Sequence, residues 1–171
     1  YLDPSQLAVA CKSLLSEQQK EPSVLLLLPP DEFVATRQAM PGIGKDNLVS
    51  AMKLQSENVL PTFTDSVAVA VNPKSADEGV EHTALWVTNE RLMELFDAFQ
   101  RQDIFLVAIK PRVLNIEDSS TDCFIDEDQN CVTAVNVIDG VISNWLHVNK
   151  LDFEDEPYVQ QWQQKVVENN A

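Results

Sequence analysis

Basic residues are scarce in this 171-residue chain: 12 Lys and Arg stand against 27 Asp and Glu, a formal net charge of -15. Nucleic acids and anionic membrane surfaces are bound through Lys and Arg that neutralise phosphates, so this balance argues against both as partners. No apolar run approaches the roughly 18 to 20 residues that a helical membrane span needs, and the N-terminus has no signal-like pattern. Histidine occurs twice, at His82 and His147, each alone on an expected strand without partners at metal-ligand or general-base spacing. Surface or half-buried strand positions are expected for both. The three cysteines, Cys11, Cys123 and Cys131, have no CxxC spacing. That argues against a zinc site or a disulfide scaffold and fits a reducing compartment. There is no GxxxxGKS/T loop, no Ser-His-Asp order and no nucleophile elbow.

The most informative stretch runs from Val24 to Val71. Val24 to Leu28 is an unbroken apolar run between Pro22 and Pro29, too short for a helix, and it predicts a strand covered on both faces. Glu32 to Ala39 alternates as a second strand, and Pro41 then disfavours helix at Met40. After Gly42 and Gly44, Leu48, Ala51, Met52, Gln55 and Val59 recur at helical spacing until Pro61 forbids continuation. Asp65 to Val71 alternates again, with Val67, Val69 and Val71 on one face and Ser66, Ala68 and Ala70 on the other.

The flanking segments are legible by the same rules. Asp3-Pro4 starts a helix with an apolar stripe of Leu7, Ala8, Cys11, Leu14 and Leu15, expected to lie on the sheet that begins at Val24. Asn72 to Glu81 reads as a surface loop. His82 to Thr88 is a strand, Thr88 or Asn89 can cap a helix, and Leu92, Met93, Leu95, Phe96 and Phe99 give that helix a broad apolar face. Asp103 to Lys110 is a further buried strand, so a strand-helix-strand crossover is expected over 82 to 110. Asn115 to Asp122 is acidic and polar and marks a boundary, dividing the chain into 1–114 and 115–171. Beyond it, Cys123 to Asp126, Cys131 to Ile138 and Val141 to Val148 form an antiparallel meander, with Asp139-Gly140 as its second turn. In the final segment Pro157 opens a helix with Val159, Trp162 and Val166 on one side and Gln160, Gln161, Gln163 and Gln164 towards solvent.

The order strand, strand ending at Met40-Pro41, helix, Leu60-Pro61, strand resembles the actin-like domains of bacterial envelope assembly proteins, the L component of type II secretion and the PilM/PilN components of type IV pilus assembly. The meander after residue 122 looks like the opening of a second actin-like lobe. The resemblance covers roughly Val24 to Val148 and implies a degenerate, truncated actin-like ATPase (ribonuclease H-like) α/β fold, with mixed sheets flanked by helices. Residues 1–114 would be the first lobe with an inserted strand-helix-strand segment, and 115–171 the start of the second. It further implies a non-catalytic scaffold on the cytoplasmic face of the bacterial inner membrane, joined to the membrane through a span outside this chain. Such a domain would dock the cytoplasmic assembly ATPase and inner-membrane platform proteins, with a homodimer allowed. The acidic surface suits a basic partner face.

The alternative is a nucleotide-dependent actin-like ATPase whose first phosphate-binding hairpin lies outside this chain. Against it, the turn that the resemblance assigns to phosphate, Asp126 to Asn130, has no glycine and would set three carboxylates towards a triphosphate. Asp126, Asp128 and Asn130 also imitate half a calcium loop, but Cys131 stands where glycine should turn the chain and Val137 where a glutamate should close it. Glu117, Asp118 and Asp122 could hold magnesium or manganese, but a charged linker explains them with less. A Cys123–Cys131 disulfide is sterically allowed if the two face each other across a turn near Glu127. Cys11, Met52 and Met93 read as core residues, Trp86 as inward-facing, and Trp145 and Trp162 as partly exposed. No catalytic, cofactor-binding or metal-ligating residue is assigned, no cofactor is expected, and no partner-binding residue can be matched. An unrelated ligand-binding α+β domain would instead show a closed apolar pocket.

Overall fold

A computed structural model describes residues 3–15, 22–60, 66–71, 81–115, 122–150 and 156–168. The first helix, α1 (Pro4–Leu14), starts as expected: Asp3 accepts a hydrogen bond from the Gln6 amide at 2.8 Å, and Pro4 occupies the first turn, where its missing N–H costs nothing. Ala8 is buried and Leu7, Cys11 and Leu15 pack beside it, whereas Leu14, assigned to the same stripe, is 86% exposed. It is the last residue of the helix and lies at the edge of the stripe.

Strand β1 (Ser23–Leu28) pairs in parallel with β5 (Phe105–Pro111), with a bulge between Val24 and Leu25. Leu26, Leu28 and Leu106 face a core completed by Leu95, Ala98 and Phe99 of α4 (Asn89–Gln100) and by Ala8 of α1. The opposite face leaves Leu25, Phe105 and Val107 exposed, so β1 is covered on one face only among the described residues.

A second sheet has the order β2 (Val34–Ala39), β4 (Glu81–Thr88), β3 (Val67–Val71), all antiparallel. Pro30–Glu32 form a 3-10 turn, so β2 starts at Val34 and not at Glu32. The helix expected up to Val59 is broken at Gln55, whose φ of -96° and ψ of 3° separate α2 (Lys45–Leu54) from the single turn α3 (Ser56–Val59). Leu48 and Met52 of α2 meet Val67, Ala84 and Trp86 in this sheet's own core. Strand β4 and strand β5 lie in different sheets, which corrects the expected crossover over 82 to 110. The buried face of α4 belongs to the β1–β5 pair, so the helix carries the chain from one sheet to the other.

Helix α4 also corrects two side chains. Thr88 caps it, accepting from the Arg91 amide at 3.3 Å, but Met93 is 64% exposed and Phe96 also faces out. Arg91, Leu95, Ala98 and Phe99 form the buried line, narrower than the apolar residues alone suggest. The third sheet is the expected meander, β6 (Asp122–Glu127), β7 (Cys131–Ile138), β8 (Val141–Asn149). Asp139 and Gly140 both have positive φ, 53° and 77°, as a two-residue hairpin turn of the I′ type requires. Helix α5 (Glu156–Glu168) follows, with Gln160, Gln161, Gln163 and Gln164 exposed. The loop at 72–80 and the acidic segment at 116–121, with Glu117 and Asp118, lie outside the described residues.

Candidate functional site

The three sheets converge on an apolar cleft of about 390 Å³, open to solvent. Its floor is the outer face of the second sheet: Thr83, Leu85 and Val87 of β4, with Ala68 and Ala70 beside them on β3. The inner face of that sheet is occupied by Trp86, whose indole Nε1 donates to Thr36 Oγ1 at 2.7 Å. One wall is the end of β5, Ile109 to Pro111, and the other is the β7–β8 hairpin through Val137, Gly140 and Ile142. Thr83 Oγ1 donates to the Ile142 carbonyl at 3.0 Å, tying floor to hairpin. Lys110 is the single charged side chain among the lining residues.

Beside this junction lies the acidic turn. Arg112, in the 3-10 turn Arg112–Leu114 after β5, forms two 2.6 Å bonds with Asp126 and a longer one, 3.4 Å, with Asp128. The paired carboxylates hold the guanidinium above its ordinary pKa, the bonds to Asp126 foremost. Glu127 pairs with Lys150 at 2.7 Å. The turn's carboxylates are therefore committed to neighbouring cations and do not project together as the sequence pattern suggests. Asp128 Oδ1 also accepts from the amides of Asn130 at 2.8 Å and Cys131 at 3.0 Å. Those amides, first that of Asn130, hold the carboxyl below its usual value.

Asp31, Asp128 and Cys131 approach one another closely enough for a cation, but Arg112 already occupies Asp128. Burial, with Asp128 alongside, pushes the Cys131 thiol up to about 12, far from the thiolate a metal would want. Cys123 pairs in register with Asn136, and Cys131 with Asn149. None of the three cysteines forms a disulfide, and Cys123 and Cys131 do not face each other. The reason is the hairpin register, which pairs Glu127 with Val132 and sets the two cysteines at opposite ends of the ladder.

His82, expected at the surface or half-buried, is only 2% exposed because β4 is the central strand of its sheet. His147 is exposed, and its Nδ1 hydrogen-bonds with the buried Thr133 hydroxyl at 2.7 Å. Cys11 packs against the first core, where burial raises its thiol pKa; Met52 and Trp86 are core residues, and Trp145 and Trp162 are half-buried. The feature that sequence reasoning missed is an ion pair between Arg91 and Glu32. It is bidentate at 2.9 and 2.7 Å with both side chains nearly buried, and it locks α4 to the turn after β1. An Arg one step from the apolar stripe of α4 was its only signal.

The arrangement is a mixed α/β fold, with parallel and antiparallel sheets flanked by helices, and it matches that of two actin-like structures. Its fold is similar to the cytoplasmic domain of EpsL, an inner-membrane component of the type II secretion system of Vibrio cholerae. The TM-score is 0.62 and the identity 13%, over 86% of this chain and 58% of that one. It is also similar to a chain of the PilM-PilN type IV pilus biogenesis complex, at a TM-score of 0.63 and 14% identity, over 85% of this chain and 48% of that one. The likeness is one of fold, and this chain spans about half the length of the solved chains it matches. No protein-family model and no curated protein matches the sequence.

Proposed function

We propose that this chain is a non-catalytic assembly domain of an inner-membrane type II secretion or type IV pilus biogenesis protein. It would sit on the cytoplasmic face of the membrane and dock the assembly ATPase and platform proteins. One observation carries the non-catalytic part: the turn that an actin-like ATPase would aim at phosphate satisfies the Asn130 and Cys131 amides with Asp128's own carboxylate. An anion arriving there would meet a carboxylate instead of free donors. The likeness in fold to the EpsL domain and to the PilM-PilN complex supports the assembly setting. The apolar cleft is where a partner segment would gain most from burial.

The test pairs two measurements. Calorimetric titration of this chain and of the full-length protein with Mg-ATP is expected to give no heat, while co-purification with the assembly ATPase or a platform protein is expected to succeed. Micromolar ATP binding by the full-length protein would replace this reading with that of an actin-like ATPase whose other phosphate hairpin lies outside these residues. Failure to capture any assembly partner would remove the docking role.

A further inference from the structure

Helix α4 buries one line of side chains and turns the rest outward. Met93 is 64% exposed, and Phe96, three residues on, is exposed as well. Side chains three apart on a helix are neighbours, so the two make one apolar knob on the surface. Glu90, Glu94 and Asp97, at helical spacing beside them, are exposed on the same side. A groove of about 740 Å³ follows this face, lined by Glu90, Met93, Glu94, Asp97 and Arg101 of α4 and its end, with Asp3 at the start of α1 across from them. Glu90 and Asp97 make no ion pair among the described residues, and the one between Glu94 and Arg91 is long, at 3.6 Å. The face is fixed in place: Thr88 caps α4, the Asn89 amide side chain bonds the Ser66 hydroxyl at 2.9 Å, and Arg91 is locked to Glu32. The 12 residues of α4 give it a length of about 18 Å.

We propose that the outer face of α4 docks a basic amphipathic helix of another protein, which seats apolar side chains on Met93 and Phe96 and sets Lys or Arg along Glu90, Glu94 and Asp97. The inference goes beyond the assembly reading, because it follows from α4 and its charges whichever protein supplies the helix. The occupant is helical because the groove lies along helices and borders no free strand edge, so an incoming backbone must satisfy its own N–H and C=O groups. It is basic because four carboxylates and one guanidinium line the groove, and unlike charges steer and orient an encounter. Arg101 closes one end and favours the carbonyl end of the incoming helix, which sets its direction. A second copy of this chain is disfavoured: no helix among the described residues carries more than two Lys or Arg. Nucleic acid and anionic lipid are repelled by the same carboxylates.

The test uses the 171-residue chain and a synthetic peptide, N-acetyl-Lys-Leu-Ala-Lys-Leu-Leu-Lys-Ala-Leu-Lys-Lys-Leu-amide, with two companions: one with Glu in place of every Lys, and one with Pro in place of the second Ala. Anisotropy reports affinity and NMR shifts report the place of binding. The parent peptide is expected to shift the amides of α4, and the acidic companion to leave them unmoved. The Pro companion is expected to bind roughly tenfold more weakly or worse, because it cannot hold one helix. Met93→Ala with Phe96→Ala, both exposed and so outside the core, is expected to weaken the parent peptide roughly tenfold. Asp97→Lys is expected to weaken it about fivefold, and Asp46→Lys, the same charge change on exposed α2, less than about twofold. Equal losses in Asp97→Lys and Asp46→Lys would reduce the effect to net charge and overturn the inference. Undiminished binding of the Pro companion, or shifts that spare α4, overturns it too.

Discussion

Arg112 shows how local pairing changes the meaning of a charge run. The segment Asp126 to Asn130 reads in sequence as a solvated acidic turn, yet Arg112 binds Asp126 through two bonds and reaches Asp128. The acidity was legible; the cation that neutralises it lies fourteen residues away and arrives only through the end of β5. Asp128 gives a testable pH dependence. Its folded pKa is depressed by the Asn130 and Cys131 amides and by Arg112, so the unfolded state binds the proton more readily. Its contribution to stability is complete above the ordinary carboxylate pKa of roughly 4 and is lost as pH falls through the lower folded value. In Asp128→Asn, urea unfolding midpoints are expected to fall less steeply than those of the parent below about pH 4. Parallel slopes for the two proteins would contradict this.

At the scale of elements, short-range chemistry was read well where a local rule acts alone. The apolar run at Val24, the caps Asp3 and Thr88, and the Asp139-Gly140 turn each correspond to an observed strand, helix start or hairpin. The turn makes a direct prediction, because Gly140 has a φ of 77° that an L side chain resists. Gly140→Ala is expected to destabilise the protein by about 1 to 2 kcal/mol in urea unfolding, the cost of a left-handed residue. A change of less than a few tenths would show that the hairpin relaxes to another turn. Reading failed where an element's environment decides. Met93 and Phe96 satisfy helical apolar spacing but point away from the core, while Arg91, polar in sequence, is buried against Glu32. Hydrophobic periodicity counts the residue's own chemistry and cannot see a buried counter-charge.

For the whole molecule, the net charge of -15 is large for this length and sets a cost on compaction. Added salt screens that repulsion over roughly 10 Å at 0.1 M. The urea midpoint is therefore expected to rise between about 20 mM and 200 mM NaCl, and a falling midpoint would mean that specific ion pairs outweigh the general repulsion. The sequence by itself determined the acidic surface, the alternation of strands and helices, and the meander after residue 122. These follow from composition and from periodicities of two or 3.6 residues, which act over a few residues. Only the tertiary structure decided that β5 pairs with β1 and not beside β4, that His82 lies in a central strand, and that three sheets leave an apolar cleft with one lysine. Those outcomes depend on which apolar faces meet across long stretches of chain, a choice made by shared burial and hydrogen-bond register and not by any local pattern.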